Sequence, residues 1–251
     1  MELLLKYEGH HVPACWLRLH GMRMGRNVWV FKLGRCGDVL RLMQQLEQES
    51  DAQVLALTLV TVVDGAQGQQ SAAMLLDAAV PFMVLFTRLQ YPWLQDGMEP
   101  YVEVHFQPIV DLSRGGHIYG QEALCRLRTP EGQLLTGQET FTLARHLGRV
   151  DALDMALQRK ALQRKVQDLE LGSTLFLNVL PSTLMQPEWP QLFFQLLHCH
   201  VLAPHEIVIE VVESEKVDPA ALAQRCDELR SQGVRIALDD MGAGFNCLSV
   251  L

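Results

Sequence analysis

Apolar and polar residues are arranged in two different ways along the chain, and the change comes near residue 97. The first 97 residues have short segments that predict a small α/β module. Strands are predicted at residues 27–33 and 54–63, helices at 37–46 and 71–78, and a further apolar run lies at 80–86. The role of this module stays open, because its sequence has no phosphate loop, metal-ligand spacing or nucleophile arrangement.

After the break at residues 91–97, apolar strand-like runs alternate with longer helical segments, which predicts a second domain at 98–251. This alternation favours a parallel sheet, whose closed eight-unit form is the TIM-type (β/α) barrel. The predicted strands are 102–110, 118–127, 175–179, 207–211 and 234–239, and the predicted helices are 137–147, 151–169, 189–197 and 219–230.

Polar residues with side-chain oxygens recur in or near the ends of these predicted strands. They are Glu122, Asn178, Glu210, Asp239 and Asp240. In a parallel barrel the carboxyl ends of the strands meet on one face, where active sites are built. Oxygen ligands favour Mg²⁺ or Mn²⁺ over zinc. Each residue also has a simpler explanation, since a strand-terminal Asn caps helices and an acid at a sheet end is usually solvated.

The end of the predicted strand at 234–239 fits both a metal site and an ordinary solvated turn. Asp239 and Asp240 are adjacent, and Gly242 and Gly244 follow them. Two carboxylates at the end of a strand suit a divalent cation. Asp and Gly are also the ordinary residues of solvated turns, so this segment alone leaves both interpretations open.

The composition narrows the class of protein. The chain has 251 residues, a formal net charge of −8, and 49% hydrophobic and 20% charged residues, which is typical of a globular protein. The acidic balance argues against a nucleic-acid polymer as partner. The six cysteines form no C-x-x-C pair, and the apolar runs are shorter than a membrane-spanning helix. We therefore expect a cytoplasmic protein that does not enter a membrane.

Several motifs then resemble one known family, the bacterial EAL domains, which are cyclic di-GMP phosphodiesterases. Residues 121–126 read Gln-Glu-Ala-Leu-Cys-Arg, with the Glu-Ala-Leu signature, and residues 106–110 read Phe-Gln-Pro-Ile-Val. Leu-Asn-Val at 177–179, Glu-Val-Val-Glu at 210–213 and Asp-Asp-Met-Gly-Ala-Gly-Phe at 239–245 are similar to the family's later motifs, in the same order. The resemblance covers residues 101–251.

The resemblance implies a role for each matching residue. It implies a divalent-cation site, Mg²⁺ or Mn²⁺, held by Glu122, Asn178, Glu210, Asp239 and Asp240, with Glu122, Asp239 and Asp240 as the catalytic carboxylates. It also implies that the cyclic dinucleotide is bound by Gln107, Leu124 and Arg126. The implied reaction is hydrolysis of cyclic di-GMP to linear pGpG by a metal-activated water. A homodimer through the loop at 240–245 is a further expectation of the resemblance.

The chain departs from the family pattern in several places. Met241 and Val212 replace a usual Phe and a common Thr, and Arg145 stands where the family usually carries an acid. The family's catalytic Lys and its later Glu and Gln would follow Leu251. The expectation is therefore an incomplete barrel of about five of eight strands, C-terminally truncated, with little or no turnover. The alternative function is a non-catalytic, degenerate EAL module that binds cyclic di-GMP or a protein partner.

Overall fold

Two β-sheets organise the chain, one in each of the two units, Met1–Asp96 and Gly97–Leu251, into which the computed structural model divides. The structure describes residues 2–7, 16, 19, 21–23, 28–33, 37–56, 58–63, 79–169, 173–212 and 217–239. The helix predicted at 71–78 lies outside these residues. No helix in these described ranges is long and apolar enough to cross a membrane.

The first unit contains a five-stranded antiparallel sheet with the order β2-β3-β1-β4-β5. Its strands are β1 (Glu2–Tyr7), β2 (Met22–Arg23), β3 (Val28–Lys32), β4 (Thr58–Val63) and β5 (Val80–Pro81), and its helices are α1 (Gly37–Glu49), α2 (Ala52–Ala56) and α3 (Phe82–Gln90). Trp16 makes edge-on ring contacts with Tyr7, Trp29 and Phe31 in its core. Such aromatic pairs bury large apolar surfaces and fix the packing of the sheet.

The second unit contains a six-stranded sheet in which β11, β10, β9, β7 and β6 are neighbours in that order and β8 pairs with β7. Its strands are β6 (Val102–Asp111), β7 (His117–Arg128), β8 (Leu134–Leu135), β9 (Thr174–Val179), β10 (Ile207–Val212) and β11 (Arg235–Asp239). Its helices are α4 (Gly137–Leu147), α5 (Val150–Asp168), α6 (Pro181–Leu184), α7 (Trp189–Cys199) and α8 (Pro219–Ser231).

Strands β7, β9, β10 and β11 run parallel, as the apolar runs predict. Strands β6 and β8 differ, because each pairs with β7 in the antiparallel sense. The connection between β6 and β7 is only a short turn, with Gly115 and Gly116 at positive φ angles of 70° and 80°. Such a turn joins antiparallel strands, whereas a parallel pair needs a longer crossover.

The alternation of side chains separates a buried face of this sheet from a more open one. Leu175, Leu177 and Val179 of β9 are fully buried, and so are Ile207, Ile209 and Val211 of β10. Of the residues between them, Phe176, Asn178 and Glu210 are only partly buried, whereas Val208 is buried. Because successive strand residues point to opposite faces, the polar residues at the strand ends share the open face.

Gly120 allows β7 and β9 to approach each other. It pairs with Thr174, and a Cβ atom at Gly120 would lie 2.7 Å from the backbone oxygen of Thr174. No side chain is accommodated at such a distance without movement of the backbone, so only glycine keeps this strand spacing.

Candidate active site

The strand register brings Glu122, Asn178 and Glu210, three of the predicted metal ligands, to one face of the second sheet. Glu210 of β10 pairs with Asn178 of β9 on one side and with Ala237 of β11 on the other. Glu122 of β7 lies on the same face, opposite the residue two positions before Asn178. The backbone position of Asp239 follows Ala237 by two residues. Residues at such positions share a face, so the fold assembles these positions from four separate strands.

A hydrogen bond joins two of these side chains directly. Asn178 Nδ2 donates to Glu122 Oε1 at 2.8 Å. The amide and the carboxylate are therefore held side by side, and Asn178 Oδ1 and Glu122 Oε2 keep their acceptor capacity. Neutral and anionic oxygen atoms in a fixed arrangement are ligands that a hard cation such as Mg²⁺ prefers, and water completes its octahedral coordination.

Glu210 adds a second carboxylate to this row. Its side chain is partly buried, and its Oε2 atom is shielded from solvent. Together with Glu122 and Asn178, Glu210 forms a row of side-chain oxygen atoms on one face of the sheet. Such a donor set fits an oxygen-bound divalent cation.

The structure describes only part of the predicted ligand set. Asp239 ends β11, but its side chain lies outside the described residues, as does the whole of Asp240. The described side chains form no group of three or more His, Cys, Asp or Glu residues suited to a metal. The roles of Asp239 and Asp240, and a dimer through residues 240–245, stay predictions.

A pocket of about 440 Å³ lies beside this edge of the sheet. Leu124 and Arg126 of β7, both predicted to bind the substrate, line it together with Asn178. Gln107 is exposed and does not line this pocket, but it pairs with Glu122 across the β6–β7 hairpin and therefore lies on the same face of the sheet as Glu122. The remaining lining residues are Ala123, Cys125, Gly137, Gln138, Phe141, Arg145, Asp154, Leu157, Val179, Leu180 and Val212.

Arg126 is partly buried, and its Nη1 atom donates to the backbone oxygen of Cys125 at 2.7 Å. This bond fixes one side of the guanidinium group. Its other N–H groups can still bind an anion, because a guanidinium has five donors in one plane.

The sequence-based prediction missed the wall of the pocket that helix α4 provides. Gln138, Phe141 and Arg145 of α4 all line the pocket. Their spacing of three and four residues places them on one face of the helix. That spacing is visible in the sequence, but it does not reveal which element the face meets. Asp154 of α5, also missed, lines the pocket from a buried position.

Comparison with known proteins agrees with this arrangement of motifs. The family model described as EAL domain matches residues 94–251, which is more than half of the chain. The chain belongs to the EAL domain family. This family is that of the cyclic di-GMP phosphodiesterases, and its TIM-barrel type of fold accounts for the second sheet and its helices.

Two relatives of this EAL chain are named as cyclic di-GMP phosphodiesterases. One is "Probable cyclic di-GMP phosphodiesterase PdeB" of Escherichia coli, which is 31% identical over 179 residues, 69% of this chain and 34% of that protein. The other is "Cyclic di-GMP phosphodiesterase RocR" of Pseudomonas aeruginosa, 32% identical over 152 residues, 59% of this chain and 38% of that protein. The chain thus spans little more than a third of the length of either relative.

Solved structures of EAL proteins share the fold. The PaMucR phosphodiesterase, in a c-di-GMP complex, has a TM-score of 0.54 at 23% identity, covering 66% of this chain and 67% of that one. The Bacillus subtilis YkuI protein, in complex with c-di-GMP and calcium, has a TM-score of 0.52 at 20% identity, covering 64% of this chain and 40% of that one.

Proposed function

We propose that the second unit of this EAL chain binds cyclic di-GMP together with Mg²⁺ or Mn²⁺, as the site of a phosphodiesterase that produces linear pGpG. The observation that carries this proposal is the hydrogen-bonded pair of Glu122 and Asn178, with Glu210 in the same row and a pocket beside them lined by Arg126. Oxygen ligands suit a divalent cation that promotes phosphodiester hydrolysis, and a guanidinium group suits binding of a phosphate.

The residues of the site divide the work between cation and substrate. Glu122, Asn178 and Glu210, with Asp239 and the next residue in sequence, Asp240, would hold the cation through oxygen atoms. When bound, a divalent cation stabilises charge on the attacking and leaving oxygens of the displacement. Arg126 binds a phosphate through its remaining N–H donors, and Leu124 offers apolar surface to a base.

The cation site is tested by Mn²⁺ titration of the unchanged chain and of Glu122→Gln, with free Mn²⁺ measured by electron paramagnetic resonance. We expect the substitution to weaken Mn²⁺ binding at least about tenfold, because it removes a charged ligand and a ligand's loss costs no less than the loss of a supporting residue. Glu131→Gln, in the exposed turn after β7, is the matched control. Equal Mn²⁺ affinity of Glu122→Gln and the unchanged chain would refute the placement of the site.

Hydrolysis is separated from binding by a second measurement on the same chain. Cyclic di-GMP is incubated with the chain and Mg²⁺, and linear pGpG is followed by chromatography. Binding without product supports the non-catalytic alternative, whereas binding with product supports the phosphodiesterase. The low turnover expected of this chain stays a prediction that this measurement decides.

A further inference from the structure

Helix α4 presents three different chemical groups to the pocket beside the strand ends. The amide side chain of Gln138, the ring of Phe141 and the guanidinium group of Arg145 lie along one stripe of the helix. Leu124 and Arg126 of β7 line the same pocket. The lining therefore combines two arginines from different elements with apolar and aromatic side chains.

The guanidinium group of Arg145 is available to a ligand. Arg145 is exposed, and its side chain makes no hydrogen bond or ion pair with another residue in the described part of the chain. Its charge acts on the neighbouring His146, whose pKa is held below its ordinary value first by burial and then by Arg145. A surface arginine that lines a pocket and has no partner among the described residues is a suitable anion contact.

The carboxylate of Asp154 in the pocket wall does not neutralise the charge of Arg145 at the open side of the pocket. Asp154 is only 1% exposed, and its Oδ2 atom accepts from the backbone nitrogen of Leu180 at 3.2 Å and from Gln158 Nε2 at 3.1 Å. Arg126 and Arg145 are thus the charged groups that the described lining offers to a ligand. In a chain with a net charge of −8, this local reversal of sign favours an anionic ligand.

We propose that Arg145 is a second phosphate-binding residue of this site. Resting on the proposed function, the inference assigns one phosphodiester group of the cyclic dinucleotide to the cation and Arg126, and the other to Arg145 of α4. Phe141 and Leu124 supply the apolar surface on which a purine base packs between the two charges. A guanidinium group binds a phosphate with paired N–H donors, which an acidic residue at this position would repel.

The test is calorimetric titration of cyclic di-GMP into the full 251-residue chain with Mg²⁺, at two salt concentrations. Four variants are compared with the unchanged chain: Arg145→Gln, Arg145→Lys, Arg126→Gln and Arg230→Gln. Arg230→Gln removes the same charge from α8, where Arg230 pairs only with nearby Asp227 among the described residues. Thermal melting of each variant tests whether it is folded.

We expect Arg145→Gln to weaken binding about tenfold, as the loss of a charge-assisted hydrogen bond does, and to make the affinity less dependent on salt. Arg145→Lys should bind more tightly than Arg145→Gln but less tightly than the unchanged chain, because lysine keeps the charge but not the planar pair of donors. Arg230→Gln should bind as the unchanged chain does.

Other results of these titrations would contradict either the role of Arg145 or the proposed function. If Arg126→Gln weakens binding and Arg145→Gln does not, the inference is overturned and the proposed function stands. A weaker Arg145→Gln with unchanged salt dependence overturns the inference as well, because the loss is then not ionic. Absence of binding by the unchanged chain overturns the proposed function and the inference with it.

Discussion

At the scale of single residues, the two faces of β7 have opposite chemical properties within the Glu-Ala-Leu motif. Glu122, Leu124 and Arg126 share the open face, while Ala123 and Cys125 between them are buried. Burial raises the pKa of the Cys125 thiol to about 12, with the charges of Arg126 and Asp154 acting in opposite directions. The motif therefore places its reactive groups on one face and keeps an inert thiol on the other.

We predict that Cys125 of the folded protein is not alkylated by iodoacetamide at pH 8, whereas exposed Cys199 is. The reason is that only the thiolate reacts, and Cys125 is buried and protonated at this pH. Peptide mass spectrometry measures both sites in one sample. In urea both should be labelled, and similar labelling of the two in the folded protein would show that Cys125 is accessible.

The same pKa shift makes the folded state sensitive to alkaline pH. The thiol of the unfolded chain has an ordinary pKa of about 8.5, while that of the folded chain is about 12. The contribution of Cys125 to stability is therefore fully present below about pH 8.5 and is lost as the pH rises toward 12, because the unfolded state releases its proton first.

Single residues also show which parts of the site the sequence could reveal. The sequence could predict that Glu122, Asn178 and Glu210 lie on one face of the sheet, because the alternation of residues along a strand is a local pattern. Their role as metal ligands stays a prediction. Arg145 was noted only as a departure from the family pattern. Its place in the pocket depends on how α4 packs beside β7, and this tertiary arrangement has no local signature in the sequence.

At the scale of elements, a buried polar network connects three helices behind the end of β9. Asp154 and Gln158 belong to α5, the backbone nitrogen of Leu180 precedes α6, and Trp189 begins α7. Trp189 Nε1 donates to Gln158 Oε1 at 2.9 Å, while Gln158 and Leu180 both donate to Asp154. Because Leu180 follows Asn178 by two residues, this network holds the strand end that carries a predicted metal ligand.

We predict that Asp154→Ala lowers the free energy of unfolding by at least about 1–3 kcal/mol, because the substitution leaves buried hydrogen-bond donors without their acceptor. Urea denaturation followed by circular dichroism measures this change. Asp168→Ala on the same helix is the control, since Asp168 is exposed and pairs with Arg164, and surface pairs contribute at most about 1 kcal/mol. Equal destabilisation by the two substitutions would contradict a special role of the network.

The elements were predictable where their periodicity was long and regular. The helices from α4 to α8 that exceed one turn, and the long strands of the second sheet, lie where the sequence places them, with ends shifted by one or two residues. The run at 54–63 was wrong in its first part, because Ala52–Ala56 forms helix α2 and only Thr58–Val63 is strand. A short apolar run has no periodicity that separates a buried helix turn from a strand.

At the scale of the whole molecule, the chain combines an acidic surface balance with a pocket that carries two arginines. The net charge of −8 does not prevent the pocket from binding a small anion. The local positive charge of Arg126 and Arg145 determines which ligands bind in the pocket. The role of the first unit and a cytoplasmic location stay predictions from the sequence. The assignment to the EAL family rests on the second unit, to which the motifs and the metal-ligand row belong.

The central claim is that the edge formed by β7, β9, β10 and β11 binds cyclic di-GMP with a divalent cation. Calorimetric titration of cyclic di-GMP into the unchanged 251-residue chain, first with Mg²⁺ and then with EDTA, tests it most directly. The account predicts saturable binding with Mg²⁺ that is at least about tenfold weaker in EDTA, because a bound cation would offset the negative charge of the carboxylates and of the phosphate. Absence of binding in both conditions, or equal affinity with and without the cation, would contradict it.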